Sequence, residues 1–243
     1  MKEYKTVVPA GLKAIGQRFW KEARSLPAEA WQRWATTVGI GLVIVSALSL
    51  IITRIAMGSE ALQAWDEQTL LAVAEGPISF ARGITWESPG NLVGSVPMLL
   101  TFIALTSWFS RPLVAATVAM GYGLQFVWVW TGWLTWNRQR PDLIADGIAA
   151  PGLHSFPSGH VAVITTIYGL LFYLWFRSSK NWLERLVAIA FATIWIGMIA
   201  MSRLVLGAHW PSDVIVSLGL GLSWLTVLIV ALERSTSAAR SKV

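Results

Sequence analysis

A chain of 243 residues that is 55% hydrophobic and only 13% charged, with 15 tryptophans, is not composed like a soluble domain, which would carry about 25% charged residues. Its net charge of +6 comes from 19 Lys and Arg set against 13 Asp and Glu. Cysteine is absent, which excludes disulfides and thiolate metal sites.

The chain opens on GLKAIGQRFWKEARSLP, where Leu12, Ile15, Phe19 and Leu26 recur at helical spacing among basic residues. This pattern suits a helix lying on an anionic membrane surface, or equally an amphipathic helix packed on the protein itself. The first apolar run begins only near residue 35 and has no small-residue cleavage site, so no cleavable signal peptide is expected. Six runs follow at 35–53, 91–109, 113–135, 160–176, 186–202 and 213–232. Each approaches the roughly 20 residues that a membrane helix requires. The expected fold is therefore all-α, a polytopic bundle of six transmembrane helices. It divides into a basic amphipathic segment over 1–34, a six-span unit over 35–232 and a basic tail over 233–243. Between the first two spans, SEALQAWDEQTLLAVAEG reads as a short amphipathic helix capped by Ser59. Packing on the bundle is its plainer role, and one wall of a lipid access groove is the alternative.

Basic residues orient the bundle. With the N-terminus inside, fourteen of the 19 Lys and Arg fall in inner segments, and only Arg54, Arg82, Arg138, Arg140 and Arg203 fall in outer ones. Both termini are then cytoplasmic, and the net charge marks the cytoplasmic face instead of a nucleic-acid surface. The outer loops are 54–90, 136–159 and 203–212. They hold NRQRP after the third span, FPSGH before the fourth, and SRLVLGAHWPSD between the fifth and sixth. Antiparallel helices would bring all three together.

Each of these stretches has a chemical reading and a plain one. Pro157-Ser158-Gly159-His160 stands at a helix start, where free N–H groups and the helix dipole favour an anion. A cap and turn would use the same residues. Arg140 and Arg203 carry a planar guanidinium that matches phosphate with paired donors. A lone Arg at a span end is more often an interfacial anchor, but two on the outer face run against the charge bias. His209 and Asp213 are four apart, with Pro211 suited to the first turn of the sixth helix. Asp213 can take the proton side of the His209 ring and leave the other nitrogen a better nucleophile.

Together, Arg140-Pro141, Pro157-Ser158-Gly159-His160 and Ser202-Arg203-x5-His209-x3-Asp213 resemble the three signature motifs of the type 2 phosphatidic acid phosphatase (PAP2) superfamily. The resemblance covers roughly residues 133–213. It implies a six-helix membrane bundle that dephosphorylates lipids without a metal or other cofactor. It implies His209 as the nucleophile, Asp213 as its orienting partner and His160 as the acid for the leaving lipid oxygen. It also implies Arg140, Arg203, Ser158 and the Gly159 N–H as phosphate ligands. Phosphoryl transfer relies mainly on positioning and on stabilising spread charge, which such donors supply. The family places a Lys seven residues before the Arg of its first motif, where this chain has Trp133. Arg138 is the candidate to replace that cation.

The resulting expectation is a bacterial inner-membrane lipid phosphatase with its site on the outer face. It would act on a phosphomonoester or pyrophosphate lipid such as phosphatidylglycerophosphate, phosphatidic acid or undecaprenyl pyrophosphate. The partners expected are that lipid and the surrounding membrane lipids, with no nucleic acid, and no oligomeric state is read. Soluble vanadium haloperoxidases share the anion pocket, but six spans argue against them. The alternative from another class is a lipid-binding or lipid-transport member of the same fold with an impaired site.

Overall fold

The computed structural model describes residues 10–144, 147–148 and 154–240. Among these the chain forms nine α-helices: α1 (Ala10–Ser25), α2 (Ala28–Ala56), α3 (Glu60–Ala74), α4 (Phe80–Glu87), α5 (Leu92–Trp108), α6 (Pro112–Thr135), α7 (Gly159–Ser178), α8 (Trp182–Val205) and α9 (Pro211–Arg240). A 3-10 turn at Ser88–Gly90 joins α4 to α5. Among the described residues, six stretches are long and apolar enough to cross a membrane: Ala28–Ala56, Phe80–Trp108, Pro112–Thr135, Gly159–Ser178, Trp182–Val205 and Pro211–Ala239. The protein is thus an all-α bundle, as its periodicity implied.

Local chemistry sets the helix ends. Pro27 lacks a backbone N–H and separates α1 from α2. Ser59 accepts a hydrogen bond from Leu62 N at 3.3 Å and starts α3, and Ser79 does the same for α4 with Arg82 N at 3.4 Å. Two boundaries differ from those expected. The second apolar stretch begins at Phe80, because α4, the Ser88-Pro89-Gly90 turn and α5 follow one another as one apolar run. The tail expected from residue 233 is helical through 240, since its Ala, Glu and Arg favour helix and Ser235 and Ala238 are buried.

The helix α9 is the centre of the bundle, with α2, α6 and α7 packed around it. Trp128, Trp224, Leu228 and Leu232 are fully buried in that core. Indole and hydroxyl groups there bond between helices. Trp224 Nε1 donates to Gly121 O at 2.9 Å, Trp34 Nε1 to Thr117 Oγ1 at 2.9 Å, and Ser49 Oγ to Trp128 O at 2.8 Å. The outside of the bundle is apolar: Val43, Ile55, Val93, Leu134, Ile194 and Ile215 are each more than half exposed. A surface of this kind aggregates in water and is satisfied by lipid chains.

Candidate active site at one end of the bundle

The end of α6, the start of α7, the end of α8 and the start of α9 lie at one end of the bundle, with α3 and α4 beside them. The hinge of the site is the 206–210 link between α8 and α9. Gly207 has a φ of +62, the left-handed conformation that closes a helix C-terminus. The Gly207 N–H bonds Leu204 O at 2.9 Å, and the Ala208 N–H bonds Arg203 O at 3.0 Å. Three residues after Ala208, Pro211 opens α9. In its first turn Asp213 reaches back to accept the Trp210 N–H at 2.9 Å, the return half of a capping box. His209 is therefore clamped between a helix end and a helix start.

The His209 side chain is 3% exposed. Its Nδ1 lies 3.4 Å from Asp213 Oδ2 and 3.5 Å from Ser155 Oγ, and Ser155 also donates a short hydrogen bond to Asp213 Oδ2. Its Nε2 lies 3.0 Å from Arg140 Nη1. A guanidinium only donates, so this contact assigns the ring lone pair to Nε2 and the proton to Nδ1, facing Asp213. Burial pushes His209 down to about 4, a shift that Asp213 opposes. Arg140 also donates to Ala208 O at 2.7 Å and His154 O at 3.3 Å, and burial lowers its pKa against the pull of Asp213.

The other expected residues are placed as follows. Ser158 is fully buried and caps α7, with its Oγ accepting from Val161 N at 3.4 Å. Its N–H points to Asp213 O at 3.4 Å, which ties the start of α7 to the start of α9. Gly159 lies against the Trp133 ring, so closely that a Cβ there would sit 3.1 Å from Trp133 Cζ2. Trp133 itself is half-buried, donates from Nε1 to Pro157 O at 2.9 Å and stacks on His154 at a centroid distance of 5.6 Å. It forms a wall of this region. His160 follows on α7 with Nε2 buried and unbonded. Arg203 is 5% exposed and ion-paired to Glu87 of α4.

Arg138 takes partners other than the pocket. It is 4% exposed; Nη1 donates to Asp213 Oδ1 at 2.7 Å and Ser212 Oγ at 2.8 Å, and Nη2 to Asp66 Oδ2 at 2.6 Å and Gln63 Oε1 at 2.8 Å. Its guanidinium carbon also lies 4.7 Å from the centroid of Trp136 and 5.2 Å from that of Trp210. Two buried carboxylates hold this cation, and both of its terminal nitrogens are occupied. The expectation that it faces a phosphoryl group does not match this placement. Asp66, Ser155, Ser212 and Glu87 went unnoticed in the sequence. A signal for Asp66 and Glu87 was there: buried arginines require counter-charges, and the outer 54–90 segment holds five acidic residues, Glu60, Asp66, Glu67, Glu75 and Glu87.

The sequence model of the PAP2 superfamily matches residues 112–237. The chain is 37% identical over 87 residues to the decaprenylphosphoryl-5-phosphoribose phosphatase of Mycobacterium tuberculosis, covering 35% of this chain and 42% of that protein. It is 37% identical over 107 residues to the lipid A 1-phosphatase of Rhizobium etli, covering 39% of this chain and 41% of that one. The matches thus span about two fifths of the length of these relatives. The fold matches the crystal structure of a transmembrane PAP2-type phosphatidylglycerolphosphate phosphatase from Bacillus subtilis. The TM-score is 0.66 at 19% identity, over 76% of this chain and 93% of that one. The family match takes in more than half of the chain, including α6 through most of α9 and every element that carries His209, His160 and the two motif arginines. The chain belongs to the PAP2 superfamily.

Proposed function

We propose that the protein is a membrane lipid phosphatase that transfers the phosphoryl group of a phosphorylated lipid to His209 and then to water. The observation that carries this reading is the orientation of the His209 ring. Asp213 stands on the Nδ1 side at 3.4 Å and Arg140 on the Nε2 side at 3.0 Å, so the nucleophilic lone pair faces a cation able to hold a phosphoryl oxygen.

In the first step Nε2 of His209 attacks phosphorus. The bond from phosphorus to the lipid oxygen breaks, and His160 gives that oxygen a proton. The imidazolium character that develops on His209 is balanced by Asp213. In the second step a water oxygen attacks phosphorus, the P–N bond breaks, and the water proton passes to His160. Arg140 and Arg203 offset the charge spread over the equatorial oxygens, with the Gly159 N–H and the Ser158 hydroxyl at the start of α7. Arg138 acts through Asp213 and is a positioning residue. Trp133 adds no charge, so the two motif arginines carry the cationic load.

The substrate class is a phosphomonoester or pyrophosphate lipid, supported by the lipid-linked phosphates named for the two bacterial relatives. A bacterial inner membrane with the site outward and both termini in the cytoplasm is supported by the placement of fourteen of the 19 Lys and Arg on the other side.

The test is to trap the intermediate. Purified protein mixed briefly with a 32P-labelled phospholipid and quenched in base should carry acid-labile, base-stable phosphate on His209. His209→Ala should fold, carry no label and turn over no substrate. Substantial turnover by folded His209→Ala protein refutes the assignment.

A further inference from the structure

The second apolar stretch, Phe80–Trp108, is not one continuous helix. Ser88, Pro89 and Gly90 form a 3-10 turn between α4 and α5, next to the phosphoryl pocket. The turn lies over His160: a methyl group placed on Gly90 would be 2.8 Å from His160 Cδ2 and 2.9 Å from Ile164 Cγ2. Immediately before it, Glu87 sends its carboxylate to the Arg203 guanidinium. Asn91 Nδ2 donates to the other Glu87 oxygen at 3.4 Å, and Tyr168 O–H of α7 donates to Pro89 O at 2.8 Å. The segment thus reaches two of the residues assigned to catalysis and phosphate binding. Arg203 Nε and His160 Nε2 are buried beneath it without hydrogen bonds.

We propose that Glu87–Asn91 is a lid closed over the phosphoryl pocket, in which the Glu87 carboxylate occupies the place of a phosphoryl oxygen on Arg203. A guanidinium presents the same paired donors to either anion. Substrate binding then exchanges one anion for another. The lid swings away with Glu87, and Arg203 passes from carboxylate to phosphate without becoming an unpaired buried charge. The Pro89-Gly90 break lets α4 move without dragging α5, and Tyr168 latches the closed state. The inference rests on the reading of Arg203 as a phosphate ligand.

The experiment uses the full chain in detergent and inorganic phosphate as the probe, with Kd measured calorimetrically. Glu87→Gln removes the competing charge and keeps the shape. Its phosphate Kd should fall about tenfold, the factor expected for one charge-assisted hydrogen bond. Tyr168→Phe weakens the latch alone and should lower Kd about threefold, the effect of a modest neutral hydrogen bond. Unchanged or weaker phosphate binding by Glu87→Gln shows that Glu87 is only a structural counter-ion of Arg203 and overturns the lid. If Glu87→Gln does not fold, an unchanged Kd in Tyr168→Phe overturns it instead. Phosphate binding that survives Arg203→Gln unaltered in the otherwise native protein removes Arg203 from the pocket, and both the reading of the site and the lid fall together.

Discussion

Asp66 touches no part of the pocket, yet the site leans on it. It is fully buried on α3 and makes three charge-assisted hydrogen bonds: from Arg138 Nη2 at 2.6 Å, from Ser212 N at 2.7 Å and from Ser212 Oγ at 2.6 Å. Arg138 in turn holds Asp213 Oδ1. Asp66→Asn keeps the shape and the acceptor for Ser212 N, but sets an amide donor against the guanidinium. Removing one member of a buried pair costs about 3–5 kcal/mol. Arg138 keeps Asp213, so the lower end applies, about 3 kcal/mol. At roughly 2–4 °C per kcal/mol for a chain of this size, Tm should fall by about 6–12 °C. Arg138 would then turn fully onto Asp213 and offset more of the charge that supports His209. A loss of that support near 1.4 kcal/mol lowers kcat about tenfold. KM should stay within about twofold, because Asp66 meets no substrate group. Thermal unfolding and steady-state kinetics in detergent measure both effects. A Tm within 2 °C of the unaltered protein, with kcat preserved, would show that the Asp66–Arg138–Asp213 chain supports neither fold nor site.

The remaining expectations concern acid catalysis, pH and topology. His160→Ala should lose most activity on natural lipids, whose alkoxide leaves poorly, and regain part of it on a phenyl ester with a low-pKa leaving group; His209→Ala should gain nothing, and equal rescue of both would contradict the division of roles. Because burial pushes His209 down to about 4, its neutral, nucleophilic form persists as pH falls from 7 to 5.5. With the phenyl ester, whose leaving group needs no proton from His160, the rate of phosphohistidine formation, corrected for substrate ionisation, should therefore change less than about twofold over that range, and a roughly tenfold loss would mean a histidine with an ordinary pKa near 6.5. In the cysteine-free chain, Leu143→Cys should react with a membrane-impermeant thiol reagent on intact cells while Ser178→Cys does not; both positions are exposed, and the reverse pattern would place the site in the cytoplasm.

Hydrophobic runs, caps and helix breakers act over a few residues, so they could be read in order along the chain. The six apolar stretches, the Ser59 cap of α3 and the break at Pro211 before α9 are all of this local kind. So were the three polar stretches, because antiparallel spans must return their alternate ends to one side. What the tertiary structure alone decided was the partner of each buried charge. Arg138 looked like a phosphate donor because it stands two residues from Arg140; it is instead held by Asp66, 72 positions away, and by Asp213, 75 positions away. Arg203 meets Glu87 from 116 positions away. Trp133, which stands where the family has a Lys, is turned inward by its bond to Pro157 O. A buried guanidinium requires a counter-charge, and the sequence shows that requirement. Which carboxylate meets it depends on how α3 and α4 pack across the ends of α8 and α9, and no spacing within a single segment records that packing.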